Sequence, residues 1–205
     1  MRFRKMGSLV LLAIVIAAGG YGIELTRHGF SSRGTPSWIE KFAATTARKL
    51  AVPSEYWQFP NPIAASRENI QAGMEHFSDH CAACHANDGS GETLFGKGLY
   101  PRPPDMRTVE TQNKSDGDLY YTIENGIRLS GMPAFGEEHT AGSDSDTWKL
   151  VLFIRHLPNL TANELKQMEQ LNPKTEGDRA EEQQEEEFLK GGEPSPIPAE
   201  ETHHH

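Results

Sequence analysis

Residues 81–85 read Cys-Ala-Ala-Cys-His, and Cys81 and Cys84 are the only cysteines in the 205 residues. Two thiols three positions apart lie on one side of a helical turn, and His85 adds an imidazole directly after them. This is the attachment pattern of a c-type haem. Each thiol adds across one vinyl group, and the imidazole is presented to the iron from one face. Ala82 and Ala83 are small enough to let a porphyrin edge approach the backbone. Two other chemistries use paired cysteines. A thioredoxin-like redox pair belongs in a βαβ setting, which the helical periodicity here does not supply. A structural zinc site needs a second pair of donors, and His76 and His80 are the nearest, so zinc stays open on the residues alone.

A six-coordinate haem needs a second axial donor, commonly a thioether or an imidazole. Met132 is the first candidate. It sits in Ser130-Gly131-Met132-Pro133, where Gly131 permits close approach and Pro133 stiffens the presentation. Methionine is more often core filler than ligand, but core methionines ride helical stripes and this one does not. Met106, after the proline-rich turn 101–105, is the second choice, and His139 or His156 would give a bis-histidine site. Met74 is assigned to packing of the first domain helix, and Met168 falls beyond the domain.

Arg2, Arg4 and Lys5 precede an apolar run from Met6 to Ile23. Eighteen helical residues span about 27 Å, close to the hydrocarbon thickness of a bilayer. The residues therefore predict a single membrane anchor over 6–23, with the N-terminus cytoplasmic and the rest of the chain exported. A cleaved signal peptide cut near Ala17-Ala18-Gly19 is the alternative, and it exports the same residues. Residues 1–50 carry eight Lys/Arg against two acids, 51–171 nine against seventeen, and 172–205 three against ten. An acidic folded part argues against nucleic acid as a partner.

The remaining pattern is helical throughout, so the fold class is all-α. Residues 1–24 form the anchor or signal segment, 25–65 a helical and extended linker, 66–171 the domain with a short trailing helix, and 172–205 an acidic disordered tail. Within the linker, Ser37 caps a helix to Leu50 with an apolar stripe of Trp38, Ile39, Phe42, Ala43, Thr46 and Leu50; it is expected to serve as a spacer, with lying on the membrane surface or packing on the domain as the alternatives. Pro53, Pro60 and Pro62 then predict extended chain. Ser66 caps a helix leading to Cys81, and residues 86–113, rich in Gly, Pro and Asp, read as irregular loops. Further helices follow from Ser115 to Asn125-Gly126, from Ser145 or Asp146 to Leu157, and from Thr161 to Gln170 behind a Thr161-Glu164 capping box. His203-His204-His205 with the upstream acids is a candidate divalent-metal site, with a chance terminal run as the alternative.

With Cys81-Ala82-Ala83-Cys84-His85 and Gly131-Met132-Pro133 in place, residues 66–160 resemble a class I cytochrome c. The Tyr-Pro-Arg-Pro-Pro-Asp turn and the segment before Met132 look most like small, membrane-anchored bacterial cytochromes resembling oxidase-associated subunits. The resemblance implies an all-α fold around one covalent haem. Its first and last helices would cross closely, bringing Gly73 and Phe77 onto Trp148, Phe153 or both. It also implies that the carbonyl of Pro103 or Pro104 accepts a hydrogen bond from His85 Nδ1, and that Arg102, Arg107 or Arg128 faces the propionates. The implied role is one-electron transfer between membrane or periplasmic redox proteins. A ligand sensor or peroxidase-like enzyme with a labile sixth ligand is the alternative. The acidic tail departs from the pattern.

Overall fold

The computed structural model describes residues 2–28, 31–136 and 142–174, together with Gln184, Phe188 and Leu189. His139, the tail beyond Lys174 and His203–His205 lie outside the described residues. Among the described residues all regular structure is helical.

Helix α1 spans Arg2–His28. Its stretch Met6–Glu24 is long and apolar enough to cross a membrane, and none of it is buried against the rest of the chain. Helix α2 (Trp38–Ala51) begins at Ser37, whose hydroxyl accepts from the Glu40 amide while the Glu40 carboxylate accepts from the Ser37 amide. This reciprocal cap satisfies two donors that a helix start leaves open.

The domain is organised by the crossing of α3 (Arg67–His80) and α8 (Ser145–His156). Gly73 makes the crossing close: a methyl group there would fall on the Lys149 carbonyl and within 3.1 Å of Phe153 Cβ. Phe77 packs on Phe153 with ring centroids 5.1 Å apart. Trp148 turns instead to Tyr120, stacked at 4.3 Å, and donates to the Gly142 carbonyl at 2.9 Å. Tyr120 belongs to α7 (Asp116–Asn125), which Ser115 caps through the Asp118 amide. Gly126, at φ 63°, ends that helix, a backbone conformation in which glycine carries no steric penalty.

The structure departs from the sequence-based expectations at several points. The segment expected to be extended linker contains a 3₁₀ turn, Ser54–Gln58. Val52 and Tyr56 are buried in the core, with Tyr56 edge-on to Tyr121 at 4.9 Å. Aromatic burial of this kind outweighs the extended preference of the prolines. The trailing helix α9 (Ala162–Leu171) is part of the domain, because Met168, expected to lie beyond it, is fully buried. The 86–113 stretch contains two short helices, α5 (Leu94–Gly98) and α6 (Val109–Gln112). Helix α8 begins at Ser145, one of the two expected starts, and is capped by Asp144, which accepts from the amides of Asp146 and Thr147.

Candidate haem crevice

Helix α3 runs directly into the cysteine segment. The Cys81 amide donates to the Phe77 carbonyl at 2.9 Å, and the Cys81 carbonyl accepts from Cys84 and His85 at 3.1 and 2.9 Å. Residues Ala82–His85 form a one-turn helix, α4. The chain then swings away at Ala86, a non-glycine residue at φ 62°. A backbone placed there is strained by roughly 1–3 kcal/mol, and the surrounding bonds hold it. Gly89 donates to the Ala86 carbonyl at 3.0 Å, Gly91 to the His85 carbonyl at 2.7 Å, and Met106 to the Gly89 carbonyl at 2.8 Å. Gly91, at φ 74°, has no room for a side chain, since a Cβ would lie 2.8 Å from the Pro103 carbonyl oxygen.

The Met132 loop is fastened at both ends to the last turn of α7. Ile127 donates to the Met132 carbonyl, Phe135 to Ile123 and Gly136 to Glu124, each at 3.1 Å. The Met132 amide itself donates to Ser130 Oγ at 3.2 Å. Gly131 lies against the Leu99 side chain. Methionine 132 is thus carried on a loop that the backbone holds in place.

Between these two segments opens a largely apolar crevice that encloses about 850 Å³ out to its mouth. Cys81, Cys84, His85, Met132, Pro103 and Pro104 all line it, so the six residues singled out from the sequence come together. Met106 lines it too, as do Leu99, Ile127 and Phe135. Ile127 and Phe135 flank Met132 in sequence and were within reach of the motif. Leu99 carries no local signal, being a lone apolar residue in a Gly- and Pro-rich stretch.

Burial lowers the His85 imidazole to about 4, so the ring is neutral near pH 7 with a lone pair free to bind a metal. Its Nδ1 is buried and has no hydrogen-bond partner. The bond expected from Nδ1 to Pro103 or Pro104 is therefore not formed in this structure. Burial first, and Cys84 second, push the Cys81 thiol up to about 12, so it stays protonated at neutral pH. Among the arginines, Arg102 lines the crevice. Arg107 is held instead by Asp88 at 2.7 Å and Asp105 at 2.8 Å. His156 pairs with Glu164 at 2.8 Å and does not line the crevice. His76 and His80 face one another with ring centroids 4.8 Å apart and planes tilted by 60°. Among the described residues no group of three or more His, Cys, Asp or Glu side chains is placed to hold a metal ion. That disposes of the zinc alternative within those residues.

Two thiols, a neutral imidazole with an unsatisfied nitrogen, two thioethers and apolar walls fit a haem better than any other cofactor. With the all-helical fold, they are the features a domain built to take a c-type haem would present. The family model that matches, over residues 68–154, is that of cytochrome c oxidase, cbb3-type, subunit III. Among solved structures, the chain is similar to part of a reducing HAO-like protein complex of Kuenenia stuttgartiensis, at 24% identity and TM-score 0.42. That match covers 47% of this chain and 46% of the other, less than half its length. No curated protein matches the chain by sequence.

Proposed function

We propose that this chain carries one haem c, bound covalently through Cys81 and Cys84, with His85 and Met132 as axial ligands. In this reading it passes single electrons between membrane or periplasmic redox proteins. Residues 6–23 tether it to the cytoplasmic membrane, with the haem domain on the outer side. The observation that carries the proposal is the meeting of the Cys81–His85 turn and the Met132 loop across one apolar crevice.

Bound haem supplies an iron that changes charge by one electron, and methionine ligation raises its potential relative to a second imidazole. The chain's own residues do the rest. Apolar walls from Ile127, Leu150, Ile154 and Phe135 exclude water. The loop bonds around Met132 hold its thioether in position without demanding rearrangement. Met106 lines the same crevice but is buried in the core cluster, which supports a packing role and leaves Met132 as the ligand.

Expression in a host competent for c-type maturation tests the reading. The expected product keeps haem through denaturing electrophoresis, at one iron per chain. Its ferric form shows the long-wavelength absorption band of a methionine–iron bond and does not respond to carbon monoxide. Met132→Ala is expected to abolish that band and open the iron to carbon monoxide. Ready carbon monoxide binding by the unaltered protein, or an unchanged Met132→Ala spectrum, overturns the assignment.

A further inference from the structure

Helix α2 is turned the wrong way round for a helix packed on a soluble domain. Such helices bury the apolar stripe and leave the polar one in water. In α2 the polar stripe makes the contacts. Glu40 accepts from the Tyr100 hydroxyl at 3.0 Å, and two turns on, Arg48 donates to Asp118 and Thr122. At 100° per residue, positions 40 and 48 share one face, while 38, 39, 42 and 50 cover the opposite one. Those four are Trp38, Ile39, Phe42 and Leu50, exposed to 75%, 49%, 69% and 83%. The helix buries no residue at all.

Charge sorts in the same sense. The one acid of α2, Glu40, is on the domain side, whereas Lys49 falls at 100° per residue among the exposed apolar side chains and Lys41 at the border between the two faces. The domain itself is acidic, so this basic, apolar surface is a local exception. Position supplies the third argument. Thirteen residues separate Glu24, the end of the apolar stretch of α1, from Trp38, and even fully extended they reach only ~45 Å.

We propose that α2 lies in the headgroup layer of an anionic bilayer, with Trp38, Ile39, Phe42 and Leu50 inserted, and that its Glu40 and Arg48 contacts hold the domain at a fixed attitude to the membrane. An amphipathic helix with a tryptophan-bearing apolar face and lysine flanks binds such surfaces by combined burial and charge attraction. The inference rests on the proposed membrane anchor and adds a second, in-plane contact to it.

The test uses the full chain reconstituted in phosphatidylcholine–phosphatidylglycerol vesicles that contain a diazirine-bearing phospholipid. After irradiation, label is mapped by peptide mass spectrometry. Label on both 6–24 and 38–51 is the expected result. The double variant Trp38→Ser/Phe42→Ser should lose label over 38–51 by roughly tenfold while keeping it over 6–24. Its melting temperature should be unchanged, since both side chains are exposed. Label on 6–24 alone overturns the α2 proposal and leaves the anchor standing. Label on 38–51 alone upholds α2 and overturns the anchor. Label on neither overturns both.

Discussion

The close crossing of α3 and α8 makes Gly73→Ala the most informative single substitution. At an open helical position this change stabilises by roughly 0.5–1 kcal/mol, because alanine loses less backbone freedom on folding. At Gly73 the new methyl falls on the Lys149 carbonyl, with Phe153 Cβ 3.1 Å away. Neither neighbour can rotate aside, since one is backbone and the other the first atom of its side chain. Restoring normal contact at about 3.5–4.0 Å requires the two helices to separate by on the order of 1 Å. Overpacking of this kind costs roughly 1–3 kcal/mol, and separation also weakens the Phe77–Phe153 contact. Because the overlap is with backbone, the upper part of that range applies, and after the propensity gain the net loss is about 2 kcal/mol. For a domain of this size that lowers the melting temperature by roughly 10 °C. Thermal unfolding followed by far-ultraviolet circular dichroism measures it. Gly98→Ala is the control, because a Cβ there meets nothing within 4 Å, and it should leave stability unchanged or raise it by up to about 1 kcal/mol. A Gly73→Ala protein that melts with or above the unaltered one would refute the reasoning.

Arg48→Ala should destabilise by about 2 kcal/mol, because the Asp118 side chain, only 5% exposed, loses its cation and a stranded buried carboxylate is costly; denaturant titration of Arg48→Ala with and without Asp118→Asn should recover part of the loss. Met106→Ala should cost roughly 2–5 kcal/mol as a core truncation yet keep the ferric methionine–iron band, whereas loss of that band would transfer the ligand role to Met106. Burial, and secondarily His80, lowers the pKa of His76, so the unfolded chain takes up its proton first as pH falls. Stability is accordingly fully present above the ordinary histidine value and declines below it. In His76→Gln the slope of melting temperature between pH 7 and 5 should flatten, measured by unfolding at stepped pH; an unaltered slope counts against the assignment.

What the amino-acid order made legible was whatever depends on near neighbours. The cysteine–histidine turn declares itself because covalent chemistry demands that spacing. The starts of α3, α7 and α9 are read from Ser66, Ser115 and Thr161, since a cap bonds only two or three residues ahead. Met132 stood out because Gly131 and Pro133 shape a loop around it. The structure brings it to the same crevice as Cys81, Cys84 and His85. What stayed hidden depends on distant partners. Nothing near Tyr56 announces that its ring will meet Tyr121 and Tyr120, or that Met168 will be fully covered. Helices as short as α5 and α6 are not stable alone, so a local reading of 86–113 returns loop. Before α8, Asp144, Ser145 and Asp146 all have capping side chains, and which of them does the capping depends on where the helix axis is held.

Helix α2 shows the limit most clearly. Its start, its length and its stripe were all read correctly from Ser37 to Leu50. A stripe gives the period of a helix but not the direction in which it faces, and direction is set by which side finds partners. Here Asp118 and Tyr100 are partners for Arg48 and Glu40, while Trp38 and Phe42 stay exposed. Two polar contacts are weak against four large apolar side chains left in water, since full burial of each is worth about 1.5–3 kcal/mol. The imbalance is resolved if that face is covered by something outside the chain. The apolar helix only thirteen residues earlier indicates that the covering surface is the membrane.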